Sequence, residues 1–274
     1  MTIDSTNEPM RLKVSHTTRY IFPSEVNFGL QQVRKTPKET DQQTIHGWTT
    51  TIQGGQSQLS FTDYHNNHVE LVSFEKGTTE LVLTSAGEVQ IADSYGVVGR
   101  HRGPAPLWLY RQSTDLTKIG QGVKALARQV EGATELERMH NLSALVLQAV
   151  GYDKSVKAVD RNVEQILEDG NGVCQDHTHL FLACARDMGL PARYVSGYLM
   201  LDTQTTQEAM HAWAEAYVDG LGWVGFDVSN AISPDARYVR VATGLDYSQA
   251  APVTGMRIGG EGEALAVEIE VVQQ

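Results

Sequence analysis

The chain has 274 residues, of which 41% are hydrophobic and 20% charged, so a packed globular protein with room for two domains is expected. Its formal net charge of −11 argues against electrostatic binding to nucleic acid or to an anionic membrane surface. Cys174 and Cys184 are too few for the disulfide framework of a secreted domain. Residues 1–10 lack the apolar core of a signal peptide, and no stretch reaches the ~18 apolar residues of a membrane helix. We therefore expect a cytoplasmic protein with a free Cys174 thiol.

The first hundred residues have the pattern of β-structure. Residues 1–10 are expected to form a disordered tail. Strand-like segments follow at residues 12–17, 70–74 and 80–84, with turn signals at Gly54-Gly55 and Asn66-Asn67. This spacing predicts an N-terminal antiparallel β domain over residues 11–100, built as a sandwich or an open barrel. His65 and His68 flank the second turn and are expected to be solvated.

From residue 107 to residue 274, helix-like segments come first and strand-like segments follow. Residues 99–106 contain two prolines and are expected to be a linker. Helices are predicted over residues 115–130, 139–147, 156–167 and 174–188. Strands are predicted over residues 193–200, 211–218, 223–227 and 265–272. This order predicts an α+β fold, in which the second half packs helices on an antiparallel sheet.

The segment around Cys174 has the properties of a nucleophile site. The apolar spacing after Cys174 predicts a helix that begins there and ends at Gly189, with Pro191 beyond it. A helix N-terminus offers unpaired N–H groups and a partial positive charge, and both favour the reactive thiolate. Cys184 would lie ~15 Å away on the same helix, too far for a disulfide, and is expected to be a buried structural residue. Since a helical cysteine is more often an inert core residue, a catalytic role for Cys174 needs support from other side chains.

His211 and Asp227 provide this support as a candidate base and its orienting group. They lie on two strands of a predicted hairpin whose turn is centred near residues 219–220, so position 211 should face position 227 or 228. Cross-strand neighbours have Cβ atoms ~5 Å apart, within reach of a hydrogen bond, although a shift of register would separate them. Asp219 is a rival orienter, but aspartate is common in turns for backbone reasons.

Other residues are candidates for supporting roles. The backbone N–H of Cys174 is predicted to be one oxyanion donor, and the second donor is not identified. Asp176 is a candidate cleft or supporting residue, and its alternative is an ordinary charge in the first turn of a helix. Trp213 and Trp223 are candidate walls of the cleft, with burial in the sheet as the alternative.

Four motifs carry a resemblance to a known family: Gly172-Val173-Cys174-Gln175-Asp176, Gly189-Leu190-Pro191-Ala192-Arg193-Tyr194-Val195-Ser196-Gly197-Tyr198, His211-Ala212-Trp213-Ala214-Glu215-Ala216-Tyr217 and Gly222-Trp223-Val224-Gly225-Phe226-Asp227. In this order they resemble the bacterial transglutaminase-like cysteine protease family over the whole second half of the chain. The opening residues 11–20 resemble the β-rich N-terminal region that precedes this core in the family.

The resemblance implies a papain-like, transglutaminase-like core over residues 107–274, with Cys174 as nucleophile, His211 as base and then acid, and Asp227 as orienter. It implies cleavage or transfer at an amide bond of a peptide or protein substrate, through an acyl-enzyme and without a metal. Peptide or isopeptide hydrolysis is favoured because water is the default acceptor. Transfer to an amine uses the same triad and stays open, as do a non-catalytic binding module and the oligomeric state.

The sequence departs from the family pattern at two places. His177 and Thr178 stand where family members usually carry an aromatic and a small residue. Val228-Ser229-Asn230 replaces the usual proline-threonine-asparagine after the third catalytic position. Because the nucleophile, base and orienter are intact, these departures bear on substrate preference more than on activity.

Overall fold

The computed structural model describes residues 8–156 and 161–274. In chain order, the elements of the first part are β1 (Met10–Val33), β2 (Gln43–Gln53), β3 (Gly55–Thr62), β4 (His68–Phe74), β5 (Thr78–Ile91), β6 (Val97–Gly99) and a 3-10 turn (Leu107–Arg111). Those of the second part are α1 (Gln121–Ala127), α2 (Glu135–Ala149), β7 (Gly151–Tyr152), α3 (Val163–Asp169), β8 (Asn171–Gly172), α4 (Cys174–Asp187), β9 (Ala192–Leu199), β10 (Thr206–Gln207), β11 (His211–Val218), β12 (Gly222–Phe226), β13 (Tyr238–Gly244), α5 (Tyr247–Ala250), β14 (Val253–Gly259) and β15 (Ala264–Gln273). Within the ranges described, no helix is both long and apolar enough to cross a membrane.

The long strand β1 organises an antiparallel sheet of eight strands. Its first part pairs with β5 on one side and β15 on the other, and its later part pairs with β4 and β14. The register with β5 shifts between Ile21 and Val26, around Pro23, which has no N–H for a ladder hydrogen bond. A hydrophobic cluster of this sheet comprises Tyr20, Phe22, Val26, Val33, Val72, Leu81 and Leu83. The N-terminal half is therefore antiparallel β-structure.

The two C-terminal strands also belong to this first sheet. Strand β15 pairs with β1 from Leu12 opposite Gln273 to Ile21 opposite Ala264. Conversely, β6 joins the second sheet by pairing with β12. Each sheet therefore combines strands from both parts of the chain. Alternation of apolar and polar residues predicts that a segment is a strand, but it does not identify the strand's partner. The pairing of β15 with β1 could therefore not be predicted from either segment.

The second sheet carries the helices on one of its faces. Its strand order is β13-β9-β11-β12-β6, all antiparallel. Ala212, Ala214 and Ala216 of β11 belong to the same core cluster as the apolar residues of α4. Because side chains alternate along a strand, the small alanines face α4 and let it pack closely on β11. Leu12 and Ile269 of the first sheet join this cluster, so both sheets share one core.

Two helices are shorter than the sequence predicted. Helix α1 covers Gln121–Ala127 instead of residues 115–130, because Thr114 and Thr117 form a turn through their hydroxyl groups before it. Helix α3 begins at Val163, after the capping residue Asn162. Part of the predicted helix 156–167, residues 157–160, lies outside the described residues.

His65 is buried, contrary to the expectation that it is solvated. Its Nε2 lies 2.7 Å from Gln249 Oε1, and its Nδ1 lies 3.1 Å from the Tyr110 hydroxyl. Burial lowers the pKa of His65 to about 4, although the hydrogen bond with Gln249 acts in the opposite direction. His65 therefore joins the first sheet to the second half of the chain as a neutral imidazole.

We expect Ile269→Ala in β15 to lower the free energy of unfolding by about 2–4 kcal/mol, because the side chain is 1% exposed in the shared core. Leu265→Ala in the same strand is the control, with a 54% exposed side chain and an expected change below about 0.5 kcal/mol. Urea unfolding of both variants measures the difference. Equal losses would contradict a core shared through β15.

Candidate active site

Cys174 is the first residue of α4, and its position depends on a tight turn before it. Val173 precedes the helix in an extended conformation, and its N–H donates to Asp176 Oδ2 at 2.9 Å. A Cβ atom on Gly172 would lie 2.7 Å from that carboxylate, so the turn requires glycine. The half-buried Cys174 thus sits where the helix presents its unpaired N–H groups.

Asp176 anchors the start of α4. Its side chain is 2% exposed and accepts a hydrogen bond from Arg161 Nη2 at 2.7 Å as well as the one from Val173. Arg161 also pairs with Asp169, at 2.8 Å. The Asp176 carboxylate is therefore engaged in a backbone hydrogen bond and an ion pair, and both hold the N-terminus of α4 in place.

His211 and Asp227 are in direct contact. His211 Nε2 lies 2.6 Å from Asp227 Oδ2. The same oxygen accepts hydrogen bonds from the Tyr238 hydroxyl and from Asn230 Nδ2, both at 2.7 Å. Burial favours the neutral acid, but the hydrogen bonds from His211, Tyr238 and Asn230 hold the pKa of Asp227 below its usual value. Asp227 is therefore a buried, ionised carboxylate.

The structure also brings His211 to Cys174. Burial alone would lower the pKa of His211, but hydrogen bonds to Asp227 and Cys174, together with their charges, raise it to about 10. Because Nε2 bonds to Asp227, Nδ1 is the ring nitrogen that remains for the thiol. This arrangement favours a protonated imidazolium beside the Asp227 carboxylate.

The contact between His211 and Asp227 forms in a different way from the one predicted. The ladder of β11 and β12 ends where Ala214 pairs with Phe226, and His211 itself pairs with Gly197 of β9. Asp227 leaves the ladder and forms a bridge with Ile232, with a hydrogen bond from its N–H at 2.9 Å. Asp227 therefore contacts His211 from just beyond the end of the ladder, where the two residues are not a cross-strand pair.

The two tryptophans do not wall an open cleft. Trp213 is 2% exposed and packs behind the imidazole, with its ring centroid 6.3 Å from that of His211. Trp223 is fully buried beneath the guanidinium of Arg193, at 3.8 Å. Asp219, the rival orienter, is exposed in the hairpin turn. In the parts of the chain that the structure describes, no group of three or more His, Cys, Asp or Glu side chains is arranged to hold a metal ion.

Three residues of the site were not found from the sequence. Asn230 comes three residues after the end of the fourth motif, and this position was the available signal. Tyr238 and Arg161 lie outside the motifs, and their contacts depend on where distant segments meet. The structure adds these three to the neighbourhood of Cys174 and Asp227.

Two family models match the chain. Residues 124–228 match the transglutaminase-like superfamily, a range that includes Cys174, His211 and Asp227. Residues 12–90 match the bacterial transglutaminase-like N-terminal region. The two matches have the order that the sequence resemblance implied.

Known proteins similar to the chain include mycobacterial sequences and one solved structure. The uncharacterized protein ML0607 of Mycobacterium leprae is 28% identical over 96% of this chain and 99% of its own length. The uncharacterized protein Rv2569c of Mycobacterium tuberculosis is 31% identical over 50% of this chain and 47% of its own length, so the match spans about half of that relative. A crystal structure named “Putative Cysteine Protease” from Cytophaga hutchinsonii aligns with a TM-score of 0.78 at 17% identity, over 97% of this chain and 91% of that one. At this identity the likeness shows the fold alone.

We expect Asp176→Asn to lower the free energy of unfolding by about 3 kcal/mol, because it leaves the Arg161 guanidinium without its buried counter-charge. Asp169→Asn is the matched control, since it removes the other partner of Arg161 at a side chain that is 52% exposed. The control should lose less than about 1 kcal/mol. Urea unfolding at neutral pH compares the two, and similar losses would refute the anchoring role of Asp176.

Proposed function

Because this chain belongs to the transglutaminase-like superfamily, we propose that it is a thiol-dependent amide hydrolase with Cys174, His211 and Asp227 as its catalytic triad. The observation that supports this most strongly is the position of His211. Its imidazole contacts the buried Asp227 carboxylate at 2.6 Å and interacts with the Cys174 thiol. We also propose that the helices and the second sheet form a papain-like core.

The proposed reaction begins with the Cys174 thiolate and the His211 imidazolium. The sulfur attacks the amide carbon, a C–S bond forms, and the carbonyl electron pair moves to the oxygen. The N–H of Cys174 stabilises that oxyanion. His211 then gives its proton to the leaving amine as the C–N bond breaks, which leaves an acyl-enzyme.

Hydrolysis of the acyl-enzyme reverses these roles. His211 accepts a proton from water, whose oxygen attacks the thioester carbon, and the C–S bond breaks to release the acid. Asp227 stabilises the imidazolium in both steps because its carboxylate stays ionised and bonded to Nε2. Tyr238 and Asn230 keep that carboxylate in place by hydrogen bonds to the same oxygen.

Transfer of the acyl group to an amine is the second candidate function, and the match to the transglutaminase-like superfamily favours it. It differs only in the acceptor, since an amine nitrogen replaces the water oxygen in the last step. A substrate tested with and without added amine separates the two reactions. The third possibility is a non-catalytic binding module. In that case the protein would show no turnover with or without the added amine.

The substrate class and the compartment follow from the same chemistry. The proposed substrate is a peptide or protein with an amide or isopeptide bond. Both cysteines are free, and a nucleophilic thiol has to stay reduced to act. We therefore propose a cytoplasmic location, where thiols are kept reduced.

We expect Cys174→Ala to abolish turnover in a screen of peptide and isopeptide substrates, with or without an amine acceptor, because it removes the nucleophile. Cys184→Ala is the control and should retain turnover, since Cys184 is fully buried in the core. Circular dichroism confirms that both variants are folded. Turnover in a folded Cys174→Ala protein would refute the proposed nucleophile.

Iodoacetamide labelling read by peptide mass gives a second measurement that needs no substrate. We expect Cys174 to react and Cys184 to stay protected, because burial raises the pKa of Cys184 to about 12. His211→Ala should slow the labelling of Cys174 at neutral pH. Labelling of this variant as fast as that of wild type would show that His211 does not activate the thiol.

The pH dependence of turnover tests the role of Asp227. The pKa of His211 is raised to about 10, so the imidazolium acid is present below that pH and lost above it. We expect kcat/KM to fall as the pH rises through about 10. Asp227→Asn removes the carboxylate that contributes to this shift, so the fall should move to lower pH. If kcat/KM of Asp227→Asn falls at the same pH as that of wild type, the proposed ion pair of His211 and Asp227 is contradicted.

A further inference from the structure

Tyr152 lies beside the nucleophile but outside the proposed triad. It belongs to β7, which runs parallel to β8 with Tyr152 opposite Gly172. Hydrogen bonds from Gly151 N to Gly170 O and from Asp153 N to Gly172 O, both 2.9 Å long, hold this short pair together. The backbone of Tyr152 is therefore fixed against the segment that leads into Cys174.

The ring of Tyr152 rests on a rigid support at the surface of the site. Its centroid is 6.0 Å from that of His177, which lies one turn after Cys174 on α4. His177 is fully buried, with Nε2 2.8 Å from Val150 O and Nδ1 3.1 Å from Ser229 Oγ. Tyr152 itself is 46% exposed, so its side chain is available to a bound substrate.

The strand pairing with Gly172 and the ring contact with His177 place Tyr152 next to the first turn of α4. Burial raises the pKa of Tyr152, and the charges of Cys174 and Asp227 raise it further. The phenol therefore stays protonated at neutral pH and can donate a hydrogen bond. Two other phenols are not available for this role, since Tyr238 donates to Asp227 and Tyr194 is buried in the core.

We propose that the Tyr152 hydroxyl is the second oxyanion donor, acting with the N–H of Cys174. The inference rests on the proposed acyl transfer at Cys174, because the oxyanion forms on a carbonyl that the sulfur attacks. A donor on a rigid ring beside the sulfur stabilises charge that is absent in the ground state, which is the condition for lowering the barrier.

Acylation by 4-nitrophenyl acetate tests this donor without knowledge of the natural substrate. The Cys174 sulfur attacks the ester carbon, the electron pair moves to the carbonyl oxygen, and collapse expels 4-nitrophenolate and leaves an acetyl thioester. The burst of nitrophenolate reports this step. We expect Tyr152→Phe to slow the burst by about 10²-fold. Tyr95→Phe, at a residue that is 80% exposed, is the control and should leave the burst unchanged.

Alkylation by iodoacetamide separates an oxyanion donor from a residue that acts on the thiol. This reaction displaces iodide from a saturated carbon and forms no oxyanion, so we expect Tyr152→Phe to alkylate at the wild-type rate. Equal slowing of acylation and alkylation would overturn the proposal, because Tyr152 would then act on the sulfur. A wild-type burst that Tyr152→Phe leaves unchanged would overturn it as well.

The same experiment keeps the two proposals apart. Cys174→Ala gives the background rate of ester hydrolysis. If wild type shows no burst above this background, the proposed acyl transfer fails and the role of Tyr152 falls with it. If the burst depends on Cys174 and not on Tyr152, only the oxyanion donor is wrong.

Discussion

The packing of α4 on β11 sets the geometry of the candidate active site. Three alanines of β11 let the helix approach closely, and the contact between Cys174 and His211 shows that helix and strand begin at the same edge of the sheet. The first residue of each element therefore lies in the candidate site. A helix start supplies unpaired N–H groups, and a strand start leaves the imidazole free to turn towards the sulfur. The site therefore needs no long loop to bring Cys174 and His211 together.

Hydrogen bonds to the carboxylates of Asp227 and Asp176 restrict the positions of His211 and Cys174. Asp227 receives three side-chain donors on one oxygen, while Asp176 receives a backbone N–H and a guanidinium. Both carboxylates are buried, so these donors compensate each of them for the loss of water. One orients the imidazole and the other orients the helix terminus. Two residues at which the sequence departs from the family pattern, His177 and Ser229, contact each other at 3.1 Å.

The residues that meet in the candidate site could be identified from the sequence because their signals are local. Cys174 lies between a glycine and an apolar helical run, and His211 and Asp227 lie close together in the chain. The register of their hairpin was predicted incorrectly, yet the pair still forms, because a turn after Phe226 compensates. The partners of Asp176 and the partner strand of β15 could not be predicted. Such contacts join distant segments and leave no periodic pattern in either one.

The pairing of β1 with β15 has a consequence for how the protein folds. Residues as far apart in the chain as Leu12 and Gln273 are neighbours in the first sheet, and their strands contribute to the core that supports α4. Contacts of such high sequence separation are entropically expensive to close and are associated with slow folding. On a ribosome, the edge of β1 that receives β15 stays unpaired until residues 264–273 have been made. During that interval the edge is open to other strands, which exposes the growing chain to aggregation.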